Sequence, residues 1–170
     1  MSVLVGYATR YGSTREVAEV VAAALRESGL EVDLQPLREV RTLAAYHAVV
    51  VGAPLYMFHW HKDARNFLAR QRKVLEGLPV AIFALGPFHA DEKEFEGARG
   101  QLDKELAKFP WLSPVACEVF GGKFDPQKLT FPHNLVPALK NMSPSDARDW
   151  PAIRAWASGL ALKQQPHGSI

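Results

Sequence analysis

The chain has 170 residues, of which 48% are hydrophobic and 22% charged, the balance of a globular protein with a sizeable core and no need of staples. A formal charge of +2 is too small to argue for nucleic acid. The single cysteine, Cys117, excludes an internal disulfide and any multi-cysteine metal or iron–sulfur site. Val3, Leu4 and Val5 are soon interrupted by Thr9 and Arg10, unlike a signal peptide, and no run approaches the ~18 apolar residues of a membrane span. The expected compartment is therefore the cytoplasm.

In chain order, residues 3–8 form an apolar run of the kind a strand buried on both faces shows. Val17, Val20, Val21, Ala24 and Leu25 then recur at helical spacing, with Gly29 as the stop. Residues 30–34 alternate as a short strand, and 48–53 form a second fully apolar one. Ala64, Phe67, Leu68 and Leu75 mark one helix ending at Gly77, before Pro79. Residues 80–85 are another buried strand, and Phe95, Leu102, Leu106 and Phe109 give a helix ending before Pro110. Residues 115–120 read as the fifth strand, with Cys117 packed in the core, and Ile153, Trp156, Ala157 and Leu160 as the last helix.

Five strands alternating with helices imply right-handed crossovers and a doubly wound α/β domain: a five-stranded parallel sheet with helices on both faces. One domain over residues 1–163 is expected, with 164–170 as a loose tail. Residues 125–149, carrying Pro126, Pro132, Pro137 and Pro144, make an irregular insertion too long for an ordinary connection. Ligands of such sheets sit beyond the carboxyl ends of the strands, so the loops there carry the chemistry.

The first loop is Thr9-Arg10-Tyr11-Gly12-Ser13-Thr14, leading straight into a helix. Its hydroxyls, its amides and the helix dipole suit a phosphate, and Gly12 permits a tight backbone approach. The competing explanation is a plain helix start, with Ser13 and Glu16 as a capping box. The loop has no Gly-Lys-Ser or Gly-Lys-Thr of a Walker A motif and no triple glycine of a dinucleotide fingerprint. A phosphate monoester held by hydroxyls remains.

This loop is similar to the Thr-x-x-Gly-x-Thr phosphate loop of flavodoxins. More closely, residues 8–18 (Ala8 through Ala18) resemble the opening of the menaquinone-dependent protoporphyrinogen oxidase family within the flavodoxin superfamily. The likeness continues in Gly52-Ala53, His59-Trp60-His61, Phe120-Gly121-Gly122 and Asp149-Trp150, over nearly the whole chain. The resemblance implies a flavodoxin-like fold and a flavin mononucleotide (FMN) held by Thr9, Arg10, Tyr11, Gly12, Ser13 and Thr14 at its phosphate.

A flavin ring needs apolar walls and backbone hydrogen bonds at its edge. Ala53-Pro54-Leu55-Tyr56, followed by Met57, Phe58 and Trp60, supplies them, with Tyr56 or Trp60 as stacking candidates or else as anchors of the loop. Leu85-Gly86-Pro87-Phe88 matches in position the third FMN loop of the superfamily, although Gly-Pro also fits a simple turn. His59 and His61 lack the acids that would complete a metal site, and beside a flavin either is a candidate to offset charge or relay a proton.

The resemblance implies electron transfer with a redox partner protein, a quinone or a small organic substrate. Ordinary flavodoxins are strongly acidic; a pI near 8.7 argues against their mode of docking. A quinone-dependent oxidase of protoporphyrinogen type is the alternative, and a fold that has lost its flavin a distant third. Lys123, Lys128 and Lys140, with Phe124, Phe131 and Leu135, give the insertion a basic and apolar character suited to an anionic substrate or peripheral membrane contact. The basic run Lys62, Arg65, Arg70, Arg72 and Lys73 reads as a solvated helix face.

Overall fold

The computed structural model describes residues 2–56, 59–129 and 133–164. Met57, Phe58, Phe131 and Pro132, and the tail from residue 165 onward, lie outside the described residues. Five parallel strands make the sheet: β1 (Ser2–Tyr7), β2 (Val32–Pro36), β3 (Tyr46–Tyr56), β5 (Val80–Leu85) and β6 (Ala116–Phe120), in the order β2-β1-β3-β5-β6. A short β4 (His59–Trp60) pairs antiparallel with the far end of β3. Strand order reverses between β1 and β3, which leaves a crevice at their carboxyl ends.

The apolar runs are buried on both faces because helices cover both. Val3, Val5, Val50 and Phe83 point to one side, against Val17, Val21 and Leu25 of α1 (Ser13–Glu27) and Ile153, Ala157 and Leu160 of α6 (Trp150–Gln164). Their alternates Leu4, Val49, Val51 and Ile82 face α2 (Lys62–Arg70) through Phe67 and Leu68, and α4 (Glu92–Leu106) through Leu102. This is the period of two expected of strands.

The helix α1 ends as its glycine foretells. Gly29 sits at φ 89°, and the Leu30 amide donates to the Leu25 carbonyl while that of Gly29 donates to Arg26. That cap occupies residues 28–30, so β2 starts at Val32, two residues later than its alternation suggests. The single helix expected up to Gly77 is two: α2 stops at Arg70 and α3 (Arg72–Leu75) follows. At the break, Arg70 donates to the carbonyls of Leu37 and Val40, and the Gln71 side chain donates to that of Arg41. Arg70 makes these bonds while remaining exposed on the solvated face to which its charge assigns it.

Cys117 is not a core residue. Its side chain is exposed on β6, the edge strand. Desolvation by neighbouring atoms, reinforced by the carboxylates of Asp103 and Glu118, pushes its thiol up to about 11. The thiol stays protonated at neutral pH.

The insertion has a defined base. β7 (Lys123–Phe124) pairs antiparallel with β8 (Ser145–Asp146), and between them lie 3-10 turns at Pro126–Lys128 and His133–Leu135 and a short α5 (Pro137–Lys140).

Candidate functional site: a cleft at the carboxyl end of the sheet

The first loop leaves β1 and turns on Thr9, whose Oγ1 accepts from the Gly12 amide at 2.9 Å. Gly12 adopts φ 91°, a left-handed conformation in which a side chain is strained, and α1 begins at the next residue. No side chain caps the helix, so the capping box read as an alternative does not form: Ser13 is already helical, and the Glu16 carboxylate turns away to Arg148 at 3.1 Å. The first amides of α1 have no partner within the helix. Thr14 is fully buried, yet its Oγ1 has no hydrogen-bond partner among the described residues. A buried hydroxyl left so costs about 1–3 kcal/mol, and an oxyanion beside the loop removes that cost. The residues present therefore fit a phosphate.

Arg10 donates from Nε to the Tyr11 hydroxyl at 3.0 Å and lies 5.6 Å from that ring's centroid. Tyr11 in turn meets Tyr56 edge-on, ring centroids 6.4 Å apart. Burial, reinforced by Tyr11 and opposed by Arg10, pushes the Tyr56 phenol well above its ordinary value, so it stays neutral.

The second loop is held by its backbone. β3 runs past its last pairing with β5, at Pro54, so that Leu55 and Tyr56 project beyond the sheet and pair with β4. Trp60 is wholly buried, and its indole donates to the Ala53 carbonyl at 2.9 Å. It anchors the loop; among the described residues of this loop, Tyr56 is the aromatic that lines the cleft. The His61 amide donates to the Pro54 carbonyl, and its Nδ1 accepts from the Asp63 amide at 3.0 Å, capping α2. That bond and a pKa lowered chiefly by burial make His61 a neutral imidazole with its proton on Nε2. His59 pairs through Nδ1 with Glu105 at 3.2 Å. Both histidines thus serve the loop's scaffold.

Glu105 gave no functional signal in the sequence beyond an acid on the apolar stripe Ala98, Leu102, Glu105. Only 3% exposed, it accepts from the Trp60 amide (3.2 Å) and the Lys108 ammonium (2.7 Å). Burial alone would raise its pKa, but hydrogen bonds from Lys108, His59 and the Trp60 amide outweigh it and hold the carboxyl below its ordinary value.

In the third loop the Gly86 amide donates to the Phe120 carbonyl at 3.0 Å, and the Pro87 carbonyl accepts from the Gly122 amide. Phe88 packs on Phe124 of β7, ring centroids 5.2 Å apart. Gly121 is required where it stands, because a side-chain carbon there would run into the Ala147 backbone.

These parts enclose a cleft of about 200 Å³. Tyr11, Ser13 and Glu16 form its floor, Leu55, Tyr56 and Phe88 its apolar walls, and Lys123 through Asp125 with Lys128 and Leu129 its far side. Of the expected site residues, Tyr11, Ser13, Leu55, Tyr56 and Phe88 face it directly. Thr9, Arg10, Gly12 and Thr14 shape the loop beneath, while Ala53, Pro54, Leu85, Gly86 and Pro87 supply backbone to the frame.

A family model described as "Flavodoxin domain" matches residues 4–146. The chain is 25% identical, over 95% of both sequences, to the protoporphyrinogen IX dehydrogenase [quinone] of Escherichia coli K12. A flavodoxin of Pseudomonas aeruginosa superposes with a TM-score of 0.61 at 18% identity, covering 98% of this chain and all of the other. For flavodoxin 1 of Bacillus cereus the values are 0.57 and 16%, covering 99% of this chain and all of that one. With a family model spanning most of its length and a phosphate loop that fits, the chain belongs to the flavodoxin domain family, as a flavoprotein whose cofactor is FMN.

Proposed function

We propose that this flavoprotein passes electrons from a reduced donor to an acceptor, both meeting the flavin at the edge that the insertion covers. The observation that carries the reading is the cleft itself, in which the phosphate-loop floor, two apolar loop walls and the base of the insertion face one another. FMN, when bound, supplies the redox chemistry, so no side-chain nucleophile is required. In this reading Ser13, Thr14 and the first amides of α1 bind the phosphate, with Thr9 and Gly12 setting the loop's shape. Tyr56 and Phe88 hold the ring between apolar faces and exclude water from it. Tyr56 stays protonated there, so its hydroxyl donates rather than adding a negative charge. The backbone of Gly86, held by its bond to Phe120, would frame the ring's edge. Lys123 and Lys128 give the far wall its cations, suited to an anionic reactant.

A second, narrower reading has a specific support. The relative of matching length in Escherichia coli bears the name of a protoporphyrinogen dehydrogenase using quinone. On that reading each turnover takes two electrons and two protons from the porphyrinogen and delivers them to a quinone, forming quinol. Exposed Leu135 and Val136, near Lys140 in sequence, suit a membrane surface where a quinone resides. Replacing residues 125–144 by a short Gly-Ser turn between β7 and β8 separates the readings. FMN should stay bound in both. Loss of quinone-coupled porphyrinogen oxidation supports the narrower one; an intact protein without that activity, whose flavin still cycles with a reductase, leaves the carrier.

A further inference from the structure

Arg148 lies outside every motif read from the sequence, yet its side chain is only 4% exposed. Its Nε and one terminal nitrogen clasp both carboxylate oxygens of Asp146 at 2.9 Å, and the other nitrogen donates to Glu16 at 3.1 Å. The guanidinium carbon sits over Trp150, 4.7 Å from the ring centroid. Asp146 belongs to β8, at the base of the insertion; Glu16 belongs to the first turn of the phosphate-loop helix. Arg148 therefore joins the two sides of the cleft.

The position of Glu16 poses an electrostatic problem. It follows Ser13 by three residues, so the two share one helix face, and both line the cleft. A carboxylate at the spot where the loop receives a phosphate repels it. The loop's own cation, Arg10, is turned onto Tyr11, donating to its hydroxyl and lying 5.6 Å from its ring centroid.

We propose that Arg148 is a positioning residue for the cofactor: it turns the Glu16 carboxylate away from the phosphate loop and neutralises it, so that the affinity for the phosphate is set by the net charge of the Glu16–Arg148–Asp146 cluster. This rests on the reading above that the first loop holds the FMN phosphate. The cluster carries −1 as it stands, −2 with Arg148→Gln, 0 with Glu16→Gln, and −1 again with both. A phosphate monoester bears nearly two negative charges, so in a partly hydrated site each unit of cluster charge should change its affinity about fivefold.

The test is the ratio of FMN to riboflavin affinity, titrated by flavin fluorescence at low salt on the four proteins. Riboflavin shares the ring and lacks the phosphate, so damage to the walls cancels in the ratio. The expected order is Glu16→Gln highest, then the unaltered protein and the double variant together, then Arg148→Gln lowest. The same ratio in all four proteins would overturn the proposal while leaving the phosphate-loop reading intact; equal FMN and riboflavin affinities in the unaltered protein would instead remove that reading. Should Arg148→Gln not fold, Glu16→Gln still decides, since it must raise the ratio, and an unchanged or lower one overturns the proposal.

Discussion

Replacing Thr14 with valine removes one hydroxyl and keeps the shape of the side chain. Two effects of opposite sign follow from its surroundings. Without cofactor, Thr14 Oγ1 is buried and has no partner among the described residues, a state that costs about 1–3 kcal/mol. Threonine and valine have nearly equal helix propensities, so the backbone contributes little to the difference. The apo-protein should therefore gain at least about 1 kcal/mol, which in a chain of this size raises the melting temperature by about 2–4 °C. With cofactor, a hydrogen bond to a charged phosphate is lost, worth about 1.5–3 kcal/mol, or about 10- to 150-fold in FMN affinity. Thermal unfolding of the apo-protein and fluorescence titration with FMN measure the two effects separately. A variant whose apo form melts lower, or which binds FMN as tightly as before, refutes the assignment of Thr14 to the phosphate.

Gly12→Ala meets no atom within 4 Å, so its cost is conformational alone, at φ 91°; urea unfolding should show a loss of about 1–2 kcal/mol. Glu105→Gln keeps the shape of the buried acid but weakens its bonds to Lys108, His59 and the Trp60 amide, lowering stability at neutral pH by about 1–3 kcal/mol. Because the folded carboxyl sits below its unfolded value of 4.5, its contribution is complete above that pH and is lost as pH falls through the lowered folded value. The acid limb of the stability curve should thus be shallower in Glu105→Gln, and parallel curves for the two proteins would show that Glu105 contributes no such linkage.

The buried strands were the most legible part of the fold. Residues 80–85 are a strand end to end, because both faces are covered and every position is apolar. Gly29 announced the end of α1 for an equally local reason, its positive φ. What escaped depended on distant partners. The break at Gln71 is set by carbonyls some 30 positions away in the chain, at Leu37, Val40 and Arg41. Cys117 looked like core between apolar neighbours, but strand order puts β6 at the edge. In the site, the hydroxyl loop was readable because its residues are consecutive and abut one helix start. The division of labour between Tyr56 and Trp60 was not, since it turns on where the β3–β4 hairpin folds back. Glu105 and Arg148 carry no local motif; besides near neighbours, each takes partners from a remote segment, His59 and Trp60 for Glu105 and Glu16 for Arg148.

The central claim is that the loop from Thr9 to Thr14 exists to hold a phosphate. The most direct test is the affinity of one apo-protein preparation for FMN and for riboflavin, followed through the visible flavin bands and fluorescence. The account predicts bound-flavin bands with FMN and much tighter binding of FMN than of riboflavin, by a factor that shrinks as competing inorganic phosphate is added. Equal affinity for the two flavins, in a folded protein, would contradict it.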